Sequence, residues 1–104
     1  MEKFVLYVGL NDKDTKKQEF ETKKAINLIC NILAKQGITD LTINTGLGAY
    51  THEDGTRTFE TSLIITILFV ERIQVVNAIS DIKTILNQEC VALETVKVEK
   101  SELI

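Results

Sequence analysis

Residues 41–70, LTINTGLGAYTHEDGTRTFETSLIITILFV, leave a chain of this kind few folding options. Two strand-like runs, Leu41 to Tyr50 and Arg57 to Val70, flank His52-Glu53-Asp54-Gly55. A short Asp-Gly turn between such runs marks a β-hairpin, because glycine accepts the positive φ that the turn demands. With the hairpin at the centre of 104 residues, each flank has room for about one strand and one helix.

The flanks fit that division. Lys3 to Leu10 (KFVLYVGL) reads as a strand, with Phe4, Leu6, Val8 and Leu10 on one face and Val5 and Tyr7 on the other. Asn11 to Glu19 is polar and charged. Thr15 and Gln18 have capping-box spacing, so a helix starts there or near Glu21, runs to about Gln36 and stops at Gly37. Ile26, Ile29, Cys30 and Leu33 form its buried stripe, widened by Ala25, Leu28 and Ile32; Lys16, Lys17, Lys23, Lys24 and Lys35 supply a solvated face. A second helix over Glu71 to Leu86 repeats apolar residues at Val75, Val76, Ile79, Ile82, Ile85 and Leu86. Asn87-Gln88-Glu89 is its exit, either the lining of a small polar pocket or a plain turn, and Cys90 to Val98 is the last strand. Residues 1–98 form one expected domain and 99–104 a frayed tail.

The order β-α-β-β-α-β, with right-handed crossovers, predicts an α+β ferredoxin-like fold: a four-stranded antiparallel sheet, order 4-1-3-2, with both helices on one face. The uncovered face should then be polar in a monomer. Strand two complies, alternating Leu41, Ile43 and Leu47 with Thr42, Asn44 and Gly46. Strand three does not: Leu63, Ile65, Ile67 and Phe69 point one way, but Ile64, Leu68 and Val70 point the other. Val5, Tyr7, Ile64, Thr66 and Leu68 therefore make an expected self-association face, closed by a homodimer or else by the chain's own tail or a loop.

Searching for chemistry returns mostly exclusions. A net charge of -3 with interspersed signs argues against direct nucleic-acid binding. The apolar run Leu63 to Val70 is too short to span a membrane and no leader precedes the first strand, so the expected location is cytoplasmic. Cys30 and Cys90 read as small apolar residues, and the single histidine, His52, does not make a metal site, so no cofactor is expected. Gly46-Leu47-Gly48 lies within a strand, lacks the third glycine of a dinucleotide loop, and reads as a bulge or bend. Asn11-Asp12-Lys13-Asp14 lacks the glycine and glutamate of a calcium loop. Ser62, Ser80 and Ser101 have only His52 as a potential base, and no phosphate loop or nucleophile elbow is present. The expectation is a protein that is not an enzyme. Its partner- or ligand-binding element is the hairpin, through Tyr50, His52, Glu53, Asp54, Arg57 and Glu60.

Three segments carry a resemblance: Tyr7-Val8-Gly9-Leu10-Asn11-Asp12-Lys13-Asp14, Gly48-Ala49-Tyr50-Thr51-His52-Glu53-Asp54-Gly55, and Asn87-Gln88-Glu89-Cys90-Val91-Ala92-Leu93. In these the chain resembles small ferredoxin-like proteins carried by phages, plasmids and conjugative elements of Gram-positive bacteria. The resemblance implies a non-enzymatic inhibitor or adaptor that binds a larger host protein or ribonucleoprotein, such as an anti-CRISPR protein blocking a nuclease. Glu53, Asp54 and Glu60 would then meet a basic surface. The alternative is a small-ligand sensor or sponge similar to the PII-like trimeric signalling proteins, which share this topology. In those the loop between strands two and three reports ligand binding between subunits, and here Arg57, His52 and nearby lysines would hold an anion.

Overall fold

The computed structural model describes residues 1–51 and 53–104; His52 lies outside the described residues. The chain runs β1 (Glu2–Gly9), α1 (Thr22–Lys35), β2 (Leu41–Thr51), β3 (Arg57–Ile67), α2 (Arg72–Ile85) and β4 (Ala92–Lys97). The strands form one antiparallel sheet in the order β2-β3-β1-β4, the expected 4-1-3-2 arrangement read from the opposite edge. It is a ferredoxin-like fold.

Strand alternation builds the core. Phe4, Leu6 and Val8 pair with Ile67, Ile65 and Leu63, and all six are at most 1% exposed. Ile29 and Leu33 of α1 and Val75 and Ile82 of α2 close over them, each fully buried. Both helices end in the same hydrogen-bonded motif. At α1, Ile38 N donates to Leu33 O and Gly37 N to Ala34 O around Gly37 at φ +77. At α2, Gln88 N donates to Lys83 O and Asn87 N to Thr84 O, with Asn87 at φ +49. A left-handed residue satisfies the last carbonyls and turns the chain sharply, and asparagine is the side chain that tolerates this best after glycine.

Several boundaries differ from expectation. Helix α1 starts at Thr22, because the Asp12 carboxylate accepts the backbone N–H groups of Asp14 and Thr15 and commits 11–19 to a loop. Thr15 bonds Glu19 within that loop rather than capping a helix. Strand β3 stops at Ile67; Leu68 falls outside it, and Phe69 takes a left-handed φ of +62 and is 51% exposed instead of joining the core. On α2, Val76 and Ile85 face solvent, while Val75, Ala78 and Ile82 carry the packing. At the end of the tail Leu103 and Ile104 are themselves exposed, so neither packs over the open sheet face.

Length decides one further difference. Each helix has 14 residues and is about 21 Å long, whereas the eleven-residue strands β2 and β3 are each about 36 Å long. The hairpin therefore overhangs the helix layer. Leu47, expected in the core, is 77% exposed on this overhang, beside Phe59 at 59% with the Arg57 guanidinium 5.5 Å above its ring. Ile65→Ala is expected to cost about 2–5 kcal/mol of folding stability, whereas Ile73→Ala, on the exposed side of α2, should stay within about 0.5 kcal/mol. Urea midpoints at matched slope check both.

Candidate functional site

The open sheet face divides into two halves. In one, Val5 lies opposite Thr66 and Glu94 and is only 7% exposed, so the chain itself covers it. Val96 is placed here beside Lys3, while Leu93 packs against the core. The expected apolar face is thus smaller than anticipated: of its strand residues, Tyr7 is 40% exposed and Ile64 and Thr66 are half-buried.

The other half is a groove of about 1240 Å3. Its floor is made by what three glycines omit. Register places Gly9 and Gly46 on either side of Ser62, and Gly48 opposite Glu60. A Cβ at Gly9 would collide with the Glu60 carboxylate, and one at Gly48 with the Ser62 hydroxyl. Gly46 and Gly48 pair without interruption and have no positive φ, so they neither bulge nor bend the strand as expected. Gly48 gives clearance to the Ser62 hydroxyl and Gly9 to the Glu60 carboxylate. Over Gly9 Glu60 lies half-buried, one oxygen accepting the Asn11 N–H at 2.9 Å.

Tyr7 and Ile64 continue the floor, and Tyr50, Glu53 and Asp54 line the hairpin side. Partial burial pushes the Tyr50 phenol up from its ordinary value, and the carboxylates of Glu60 and Glu89 add to the effect, so the neutral, hydrogen-bonding form is favoured further. The Asp54 carboxylate accepts both the backbone N–H and the hydroxyl of Thr56, and Gly55 takes φ +89, which fixes the turn. The opposite wall joins two loops far apart in sequence. The Asn87 amide donates to Asp12 at 3.0 Å and Asp14 at 2.8 Å, Lys13 N donates to Asn87 O at 3.0 Å, and the Gln88 amide donates to Asn11 O at 2.6 Å. The backbone N–H groups of Thr15 and Asp14, followed by the Asn87 amide, hold the Asp12 carboxyl below its ordinary value.

The hairpin residues singled out from sequence thus part company. Tyr50, Glu53, Asp54 and Glu60 line the groove, whereas Arg57 turns to the opposite face and stacks on Phe59. The described cations that line the groove are Lys13 and Lys16, from the β1–α1 loop. Among the described residues, the lining holds five carboxylates (Asp12, Glu53, Asp54, Glu60 and Glu89) against those two lysines. Gln88 and Glu89 line this groove while Asn87 and Gln88 N make the turn out of α2, so the segment combines parts of both sequence alternatives. Gly9, Asn11 and Ser62 also belong to the groove, although the sequence offers Asn11 and Ser62 only for a calcium loop and a nucleophile; the glycine spacing is the available signal, but its face depends on register.

No family model matches the chain, and no curated protein does. Solved structures do. A phage SAM lyase in complex with S-methyl-5'-thioadenosine superposes with a TM-score of 0.71 at 21% identity, covering 92% of this chain and 80% of that one. The periplasmic divalent cation tolerance protein CutA from Archaeoglobus fulgidus gives 0.64 at 12% identity, covering 98% and 88%. The B. subtilis GlnK–ATP complex gives 0.54 at 13%, covering 92% and 84%. The fold is therefore shared with CutA and with a PII-like protein as well as with the lyase. The last corrects the expectation of a non-enzymatic protein: an enzyme is built on this fold, and the lack of nucleophile, phosphate-loop and metal motifs does not exclude catalysis.

Proposed function

We propose that this chain binds S-adenosylmethionine in the glycine-floored groove and cleaves it to S-methyl-5'-thioadenosine. The observation that carries the reading is the half-buried Glu60 carboxylate, pinned by the Asn11 N–H over Gly9 in a groove lined also by Tyr7 and Tyr50. The substrate has a sulfonium, an ammonium and a carboxylate, hence a net charge of about +1, and a predominantly acidic lining attracts it. Tyrosine faces favour an alkylated cation as they do quaternary ammonium groups. The fold likeness to the lyase supports the same assignment.

The chemistry asks little of the protein. When the substrate's own α-carboxylate attacks its Cγ, the O–Cγ bond forms as the S–Cγ bond breaks, and the electron pair goes to sulfur. A neutral thioether and a lactone result, with no proton transferred and no water consumed. Because opposite charges disappear in that step, a carboxylate gripping the sulfonium would stabilise the ground state more than the transition state. Glu60 is better used on the ammonium, where it aims the α-carboxylate at Cγ. Its work is orientation, which alone supplies large rate factors.

A PII-like nucleotide sensor is the second reading, favoured by the likeness to the GlnK–ATP complex and by Lys13 and Lys16 in the wall. Five carboxylates against two lysines disfavour a triphosphate there. The host-protein inhibitor draws no support from the comparisons. We also infer self-association, relocated from the open face to the overhang, because Leu47 and Phe59 form an exposed apolar pair.

Incubation with S-adenosylmethionine, followed by chromatography, should show thioadenosine product accumulating as substrate disappears; no product and no thermal shift with either compound would sink the lyase reading. Glu60→Gln should lower kcat/KM by about 10- to 100-fold and weaken substrate more than the thioadenosine product, which lacks the ammonium. Gly9→Ala should leave the melting temperature nearly unchanged, since only the end of a flexible side chain must move, yet reduce turnover at least about tenfold by displacing that carboxylate. Light scattering should report a mass above the 11.7 kDa monomer, falling to the monomer in a Leu47→Asp, Phe59→Asp double variant.

A further inference from the structure

Gln88 is 8% exposed, the one polar residue among the buried described side chains. The end of α2 puts it there: Asn87 in the left-handed conformation turns the chain, and Gln88 N closes the helix on Lys83 O. Its amide nitrogen donates to Asn11 O at 2.6 Å and to Leu86 O at 3.3 Å. The amide cannot be reversed, since its oxygen would then face two carbonyl oxygens. The oxygen Oε1 accepts nothing from the described residues, among which no buried side-chain nitrogen or oxygen lacks a partner. It therefore keeps contact with solvent, and Gln88 is among the residues that line the groove.

We propose that Gln88 Oε1 is the acceptor that reads a ribose hydroxyl of the nucleoside, a specificity role that rests on the groove being the nucleoside site proposed above. Asn11 ties it to Glu60: the N–H of that residue is held by Glu60 Oε2 and its C=O by the Gln88 amide. The two side-chain acceptors thus lie on the order of 10 Å apart at most. That span is short for an ammonium at Glu60 and the exocyclic amine of an extended adenine at Gln88, and it suits the ribose between them. Charge agrees. A carboxylate takes the cation, and a neutral amide oxygen takes a neutral donor. Once a bound nucleoside shuts this acceptor off from water, a ligand lacking the matching donor leaves it unpaired and is strongly disfavoured.

The test measures binding of S-methyl-5'-thioadenosine and of its 2'-deoxy, 3'-deoxy and N6-dimethyl analogues to the full chain and to Gln88→Met. The unmodified chain should bind one deoxy analogue at least about tenfold more weakly than the parent and the N6-dimethyl analogue about equally. In Gln88→Met that ratio should collapse to about one. The ratio is the readout because Gln88→Met also loses the two donor bonds and weakens all ligands together. Gln88→Leu, which also lacks the acceptor, should show the same collapse of the ratio and serves if the first variant does not fold. A ratio unchanged in Gln88→Met, no discrimination by the unmodified chain, or discrimination only against the N6-dimethyl analogue overturns the proposal while the groove assignment stands. Failure of the unmodified chain to bind the parent compound overturns both.

Discussion

The register of β1 against β3 is the constraint on which the rest of this molecule depends. Leu6 opposite Ile65 places one face of both central strands under the helices; the same register sets Gly9 opposite Ser62 on the other face. A slip of one residue would turn every side chain over, taking Leu6 out of the core. It would also bring Val8 or Leu10 to the place where Glu60 now lies. Core and groove are therefore one choice made twice, and the apolar burial that stabilises the sheet also fixes the position of a carboxylate.

From the sequence, period-two and period-three-to-four patterns gave the order of elements, and that order with the handedness of crossovers gave the sheet. What could not be read depended on quantities no local pattern holds. Leu47 alternates as a core residue does, yet it is exposed because the helices are too short to reach it. Residues 11–19 look helical at Thr15 and Gln18, but Asp12 accepts their backbone donors and Asn87, 75 residues away, holds Asp12. Gly46 and Gly48 invite a local explanation as a bend; their use becomes visible only when Glu60 and Ser62 are set across from them.

Glu60 shows the same limit in functional terms. In the sequence it belongs with the polar tip residues Tyr50, Glu53, Asp54 and Arg57. In the fold it sits three pairs below the Thr51–Arg57 closure, half-buried, and touches a backbone N–H from another strand's exit. Arg57, its near neighbour in sequence, lies on the opposite face because the two are an odd number of positions apart. Nucleophiles, bases and metal clusters announce themselves as motifs; the reaction proposed for this groove needs only to be held in shape and leaves no such signature.

The proposed chemistry also explains why the floor must be rigid. An acidic groove attracts a cationic substrate from a distance, but attraction alone works against a step in which charge is lost. The groove is useful only if its strongest charge is kept from the sulfonium and spent on the ammonium, a matter of about one side-chain length. The space left by Gly9, the N–H of Asn11 and the Gln88 brace on the carbonyl of that same residue together set Glu60 low and to one side. Their contribution is to fix where the charge sits, and in a reaction of this type position decides whether a carboxylate accelerates or retards.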